Sequence, residues 1–335
     1  MDDVRFGIVG WGYWGPKIAR NLDSLPHSAV TMVADLDARR LASIGTNQNG
    51  NGIQTTTNLS DVLRSNVDGV VIVTPVRTHY ALAREALLHD KHVLVEKPLT
   101  ASVEEAEELV ALARERNRIL MVGHTFEYNP GVNELRRLVQ SGELGRIYCV
   151  EAERVNLGLF RQDINVIWDL APHDISILRY IFDKTPTQVS VQAHAHLQPG
   201  IHDIAHLDLG FDGGLRAHIH VSWLHPCKIR RVTVIGDKKM VVYDDTNPAE
   251  MIKIYNKGAD VHADPVISYR YGAITIPHID WIEPLRLECE DFVTGIRTGK
   301  QPRANGEVGL EVVRVLASVQ RVLDQQEALA ATVNA

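Results

Sequence analysis

The chain has 335 residues, 45% of them apolar and 23% charged, with 35 basic against 42 acidic side chains and a net charge of −7. That length allows two domains with substantial cores, and the acidic balance disfavours a general nucleic-acid or membrane-surface role. The opening Met1-Asp2-Asp3-Val4-Arg5-Phe6-Gly7 has no basic stretch ahead of a long apolar run, so neither a signal peptide nor a transmembrane span is expected. Cys149, Cys227 and Cys289 are odd in number, far apart and without CxxC spacing, which reads as reduced packing cysteines of a cytoplasmic protein.

Residues 4–9 form a short apolar strand that runs straight into Gly10-Trp11-Gly12-Tyr13-Trp14-Gly15, and residues 16–22 read as a helix. A GxGxxG turn between a strand and a helix is a dinucleotide-binding pattern. Gly10 makes the turn, Gly12 lets backbone amides approach a pyrophosphate, and Gly15 lets the helix pack close to the strand. Tyr13 and Trp14 in the same loop are further cofactor contacts, and with Trp11 they are expected to pack on the cofactor's edge or a neighbouring domain. The next strand, residues 30–35, ends in Asp35, where a carboxylate accepts ribose hydroxyls and repels a 2′-phosphate. This favours NAD, with NADP possible because Arg39 and Arg40 follow; the same two arginines also read as solvated residues of the next helix.

Strand and helix go on alternating. Residues 59–64 are helical, residues 69–75 are a continuous apolar strand of the kind buried on both faces, and residues 79–89 are a helix. Thr74 and Pro75 at the end of that strand, and His79 after it, are candidate cofactor contacts. The strand Val93-Leu94-Val95 then ends in Glu96-Lys97-Pro98. A lysine here must be paired or desolvated, at an edge where ligands bind in open α/β sheets; alone, it also reads as a side chain snorkelling to the rim. An amphipathic helix over 102–116 with Ser102 as N-cap and a strand over 119–122 ending at Gly123-His124 complete a doubly wound parallel sheet.

Past His124 the pattern changes. A helix over 130–141 is followed by strands over 147–154, 188–196, 205–211, 215–223, 229–235 and 239–243. The tight link Asp212-Gly213-Gly214 implies antiparallel pairing. One helix around 172–182 interrupts the strands, residues 244–281 read as loop-rich, and helices over 284–298 and 308–324 close the chain. At the start of the first of these helices, Asp169 and His173 are four apart and share a helical face. Imidazole takes a proton near neutral pH and a carboxylate can orient it; a capping aspartate followed by a structural histidine fits the same spacing. His194 and His196, then His218 and His220, each share a strand face, a zinc-like count of imidazoles. A polar sheet face at a subunit interface explains them without a metal, and no metal is expected.

In order and spacing, Gly10/Gly12/Gly15, Glu96-Lys97-Pro98-Leu99, Gly123-His124-Thr125-Phe126-Glu127-Tyr128-Asn129-Pro130, Asp169-x-x-x-His173, Glu283-Pro284-Leu285 with Asp291-Phe292, and Gly299-Lys300-Gln301-Pro302 resemble the Gfo/Idh/MocA oxidoreductases over nearly the whole chain. The resemblance implies an α/β protein. Residues 1–123 would be a doubly wound Rossmann domain. Residues 124–335 would be an α+β substrate-binding domain with a large open, mainly antiparallel sheet that often forms a homodimer or homotetramer interface. It implies that Lys97, Asp169 and His173 are catalytic. Glu96 and Lys97 are also expected cofactor contacts and Asp169 and His173 substrate contacts, with Asp169 and Glu96 setting the local field of Lys97. His124, Asn129 and Arg154 are candidate substrate contacts, although Asn129 also reads as the start of a helix. The implied reaction is hydride transfer between a secondary alcohol of a sugar, cyclitol or nucleotide-linked sugar and NAD(P), with a keto-sugar reductase as the reverse reading and a non-catalytic dinucleotide-binding regulator as the rival. The stretch Asn156-Leu157-Gly158 through Asn165 to Asp174 resembles members acting in surface-polysaccharide and amino-sugar pathways. An arginine often found in the family before the Asn-Pro of the His124 segment is absent, and Glu127 stands near its place.

Overall fold

The computed structural model describes residues 3–42, 44–45, 52–261 and 266–333. The first stretch runs β1 (Val4–Val9), α1 (Gly15–Ser24), β2 (Ser28–Ala34), α2 (Ala38–Leu41), β3 (Gln54–Thr56), α3 (Leu59–Arg64) and β4 (Gly69–Ile72). A 3₁₀ turn (Val76–Thr78) leads into α4 (His79–Leu88), β5 (His92–Val95), α5 (Val103–Glu115) and β6 (Leu120–Val122). Among the described residues these strands pair in parallel in the order β3-β2-β1-β4-β5-β6. The order reverses between β1 and β4, which makes that carboxyl edge the switch point where ligands bind in such sheets. Every residue of β4 is buried, as expected of a strand covered on both faces. Helix starts follow their side chains: Asn58 accepts from the Ser60 amide and Ser102 from the Glu105 amide.

The second stretch runs α6 (Pro130–Gln140), β7 (Ile147–Leu157), α7 (Val166–Phe182), β8 (Gln188–His194), β9 (Ile204–Gly210), β10 (Arg216–Ser222), β11 (Leu224–Gly236) and β12 (Met240–Asp244). It continues through β13 (Ile252–Val261) and β14 (Ile267–Thr275) to α8 (Pro284–Thr298) and α9 (Gly306–Val333). Strand order is β14-β13-β12-β11-β7-β10-β9-β8, with only the β7–β10 pair parallel among the described strands. Two expectations change here. The stretch 244–281, read as loop-rich, supplies two more strands. Tyr269, Tyr271 and the β-branched residues of β14 were its signal, but both faces of that edge strand are largely exposed, so no apolar alternation marked it. The helix expected around 172–182 begins at Val166, because Asn165 caps it by accepting from the Ile167 and Trp168 amides.

Strand register sorts the second sheet into two faces. Ala152 of β7, Leu207 of β9, Ile219 of β10 and Val232 of β11 turn to the buried side, where α6 and α7 pack. On the opposite side, Gln192, His206, His220, Glu153 and Arg231 form one row across five strands, and Ser190, Asp208, His218, Glu151 and Thr233 form the next. The rings of His206 and His220 stack at 4.2 Å. His194 lies on the far side of β9 from His218 and His220, so the four expected imidazoles do not meet; His206, unnoticed in the sequence, is the ring that does. Among the described residues no cluster of three or more His, Cys, Asp or Glu is disposed to hold a metal ion.

The chain divides into two compact units, Met1–Tyr128 with Ile282–Val313, and Asn129–Trp281 with Arg314–Ala335. This differs from a single boundary after residue 123. Helix α8 returns to the first sheet, where Leu285, Cys289, Phe292 and Val293 join Phe6, Ile8 and Leu22 in one core cluster. The Phe6 and Phe292 rings lie 5.6 Å apart, and burying a side chain such as Phe292 is worth about 1.5–3 kcal/mol. Tyr128 is tied to the same segment, donating to Asp291 at 2.7 Å.

Candidate active site

In the first unit the glycine loop has the shape its sequence demands. Gly10 has φ +102°, and a Cβ there would lie 2.8 Å from the Val73 carbonyl oxygen. A Cβ on Gly15 would lie 2.5 Å from the Gly10 oxygen, so the helix could not close on the strand with any larger residue. Among the described residues a Cβ on Gly12 would meet only the tip of Arg40, at 3.9 Å, which leaves Gly12 and the N-terminus of α1 open to a diphosphate, while the Gly10 and Trp11 amides are bonded to Ala34 and Asp35.

Asp35 ends β2 beside this loop, nearly buried, and accepts from the Trp11 amide at 2.6 Å and the Asp37 amide at 2.8 Å. A carboxylate fixed in this way fits a dinucleotide with free ribose hydroxyls. Arg40 pairs with Asp35 at 3.4 Å and Arg39 with Asp37 at 2.8 Å, so both arginines face acids. Trp11 and Trp14 pack against the core of this unit, whereas Tyr13 stays exposed beneath the Lys17 ammonium, 3.2 Å from its ring centroid.

At the ends of β4 and β5 the structure brings residues of two loops together. The hydroxyls of Thr74 and Thr78 lie 2.7 Å apart. His79, expected at the cofactor, is buried: its Nδ1 lies 2.9 Å from the Pro98 carbonyl and its Nε2 2.8 Å from the Thr74 carbonyl. Burial lowers its pKa. The ring thus lies between the loop after β4, with Thr74 and Pro75, and the loop after β5, with Glu96 and Lys97, and as a neutral imidazole it donates to one of the two carbonyls. Lys97 is half-buried at that carboxyl edge. Glu96 turns toward the end of β6, where its Oε1 lies 3.5 Å from the Cβ position of Gly123. His124 and Glu127 follow, both buried, and Arg303 donates to the Glu127 carbonyl.

In the second unit Asp169 and His173 sit one turn apart on α7. Asn165 is the cap, so Asp169 is not one; its Oδ2 accepts instead from the indole Nε1 of Trp223 at 3.0 Å. Trp223 is fully buried, with the Phe160 ring edge-on at 5.9 Å, and nothing in its sequence context marked it. Gln320 of α9 accepts from both Asn165 at 3.1 Å and Trp168 at 3.2 Å, fixing the start of α7.

Two expected substrate contacts, Arg154 and Asn129, have partners within the second unit. Arg154 alternates inward on β7 and makes a bidentate pair with Asp174, 2.9 Å for each bond, with the side chains 6% and 1% exposed. Burial opposes the Arg154 charge, but Asp174, with Tyr243 and Asp245, carries its pKa above the usual arginine value. Asn129 caps α6 by accepting from the Gly131 amide at 2.8 Å and donates to Asp245 at 3.3 Å.

Comparison with known proteins agrees with both halves. Residues 4–124 match the oxidoreductase family with an NAD-binding Rossmann fold, and residues 132–242 match the GFO/IDH/MocA C-terminal domain. UDP-N-acetylglucosamine 3-dehydrogenase of Acidithiobacillus ferrooxidans is 29% identical over 96% of this chain and 97% of its own. Its solved structure superposes with a TM-score of 0.79 at 26% identity, covering 96% and 98% of the two chains. The scyllo-inositol 2-dehydrogenase (NAD(+)) of Bacillus subtilis is 25% identical over 89% of this chain and 88% of its own. A solved protein of Magnetospirillum magnetotacticum MS-1 superposes with a TM-score of 0.82 at 28% identity, covering 95% and 100%. With both of its domains matched in order and the glycine loop built to receive a dinucleotide, the chain belongs to the Gfo/Idh/MocA family of NAD-binding oxidoreductases.

Proposed function

We propose that this enzyme oxidises a secondary alcohol of a sugar, cyclitol or nucleotide-linked sugar with NAD, and that Lys97, Asp169 and His173 carry the reaction. The observation that carries this reading is Lys97, a cation at the carboxyl edge of β5 in the same sheet as the glycine loop and Asp35. When bound, NAD supplies the hydride-accepting nicotinamide; the chain orients the substrate and handles its proton. His173 takes the hydroxyl proton, and Lys97 donates a hydrogen bond to the alkoxide as it forms. Asp169, held by Trp223, orients the imidazole one turn along α7. The same groups run the reverse reaction on a keto-sugar, whose direction follows from reactant concentrations.

Support for the substrate class comes from the relatives that act on UDP-N-acetylglucosamine and scyllo-inositol. The first unit would hold the cofactor and the second the substrate. The polar rows on the uncovered face of the second sheet support self-association there as a homodimer or homotetramer. The three cysteines are free, which supports a cytoplasmic setting, and among the described residues no helix is long and apolar enough to cross a membrane.

The test is Lys97→Ala with NADH formation followed across polyols, cyclitols and nucleotide sugars. Loss of one such donor costs roughly 10²–10³ in kcat, while NAD affinity, read by thermal shift, should stay near that of the unaltered protein. Normal turnover in this variant would rule Lys97 out.

A further inference from the structure

The connection between β8 and β9, residues 195–203, is built around one buried carboxylate. Through Oδ2, Asp203 accepts from the His196 amide at 2.8 Å and the Leu197 amide at 3.0 Å. Its Oδ1 lies 2.8 Å from the His196 Nδ1, which faces a carboxylate and so carries the ring proton. Burial opposes the Asp203 charge, but the His196 ring and the two amides hold its carboxyl below the usual aspartate range. Three donors on one carboxylate fold the chain leaving β8 back onto the start of β9. The backbone fixed in this way serves the second unit twice. The His202 carbonyl accepts from the Val166 amide at 2.9 Å, one of the N–H groups that the start of α7 leaves unpaired. The Asp203 carbonyl accepts from the Trp223 amide at 2.9 Å, and the Trp223 indole holds Asp169 at 3.0 Å. The helix that carries Asp169 and the indole that bonds it therefore rest on adjacent carbonyls of one connection.

We infer that Asp203 is a positioning residue for the reaction: its carboxylate fixes the His202 and Asp203 carbonyls, which set the start of α7 and the Trp223 backbone and so place Asp169. This rests on the reading of Asp169 as a catalytic group. Glu327 of α9 clamps the same connection. The His202 ring is buried, its Nδ1 has no hydrogen-bond partner among the described residues, and its Nε2 lies 2.9 Å from the Glu327 carboxylate. That bond orients the ring and steadies the residue whose carbonyl meets Val166. Gln320, about two turns earlier on α9, bonds Asn165 and Trp168, so one helix holds the start of α7 directly and through His202. The loop ahead of α7 is tied to the connection as well, since Gln198 donates to the Arg161 carbonyl at 3.1 Å. Without the Asp203 charge the His196 and Leu197 amides lose their acceptor, and the connection slackens beneath both supports of Asp169.

The experiment follows the indole N–H signals of the full chain labelled with ¹⁵N-tryptophan. Of the five tryptophans, Trp223 gives the signal that is lost in Trp223→Phe. A hydrogen bond to a carboxylate holds that proton downfield. In Asp203→Asn it should move upfield, while the signals of Trp11 and Trp14 in the first unit stay in place. An unmoved Trp223 signal overturns the inference, and no turnover is needed to read it. Kinetics use the best donor among the polyols, cyclitols and nucleotide sugars screened with Lys97→Ala. Asp203→Asn should lose roughly 10–100-fold in kcat, with KM and NAD affinity near those of the unaltered enzyme; an intact kcat overturns the positioning role. Glu327 is exposed, so Glu327→Ala tests the clamp without disturbing a core. Its kcat should fall severalfold, and Glu327→Gln, which keeps an acceptor for Nε2, should restore it. Equal rates in Glu327→Ala and the unaltered enzyme overturn the clamp. If Asp169 is not catalytic, Asp169→Ala turns over normally while the indole shift of the Asp203 variant stands, so the two failures are distinct.

Discussion

Replacing Asp174 by asparagine separates two roles for Arg154. The guanidinium makes two charge-assisted bonds at 2.9 Å, and neither side chain is more than 6% exposed. An asparagine side chain would offer one acceptor in place of two and no charge, leaving a desolvated cation poorly matched. Breaking a buried pair from one side costs about 3–5 kcal/mol, more than the loss of an ordinary hydrogen bond at about 1 kcal/mol. Removing both charges together, as in Arg154→Met with Asp174→Leu, should recover most of that, because a buried pair rarely outweighs an apolar replacement of similar volume. Urea denaturation followed by tryptophan fluorescence, with Trp168 and Trp223 in the same unit as the pair, reads the effect. The single variant should unfold at clearly lower urea and the double variant near the unaltered protein. A cost below about 1 kcal/mol for Asp174→Asn would place Arg154 outside the structural role assigned to it and return it to the substrate contacts.

Two further outcomes follow from named contacts. His92 accepts from the Ile119 amide at 3.0 Å through Nδ1, and burial, with Arg118 nearby, pushes its pKa down to about 4. Its folded value lies below the unfolded one, so this contribution is complete above about pH 6.5 and is lost as pH falls toward 4. A shift of that size corresponds to at most about 3 kcal/mol, and partial exposure brings it to roughly 1–2 kcal/mol. His92→Asn should flatten the acid side of the melting curve between pH 7 and 4.5, and parallel curves would show that His92 does not titrate there. Trp223→Phe removes the indole donor to Asp169, a bond to a charged group worth about 1.5–3 kcal/mol. Turnover should fall at least tenfold with NAD affinity unchanged, and an unaltered kcat would detach Trp223 from the chemistry.

The local features of this chain were legible without coordinates because they are set by neighbours in sequence. Gly10, Gly12 and Gly15 between an apolar strand and a helix describe their own turn, and Asn58 and Ser102 mark the helices they cap. The strand ending at Glu96-Lys97 likewise announces a charge at a sheet edge. Asp169 and His173 lie on one helical face by spacing alone, although Asn165 rather than Asp169 begins that helix. Partners distant in sequence were hidden. Nothing near Arg154 says that strand alternation turns it inward onto Asp174, and nothing near His79 says that two carbonyls from separate loops close on its ring. Nor does anything near Phe292 say that α8 returns to the first sheet and packs it against Phe6. Backbone geometry and hydrophobic period therefore determined the kind of fold and the place of the cofactor loop. Which charges are buried, and what they are buried against, was decided by tertiary packing, because the cost of hiding a charge depends on the groups that surround it and not on the residues beside it in the chain.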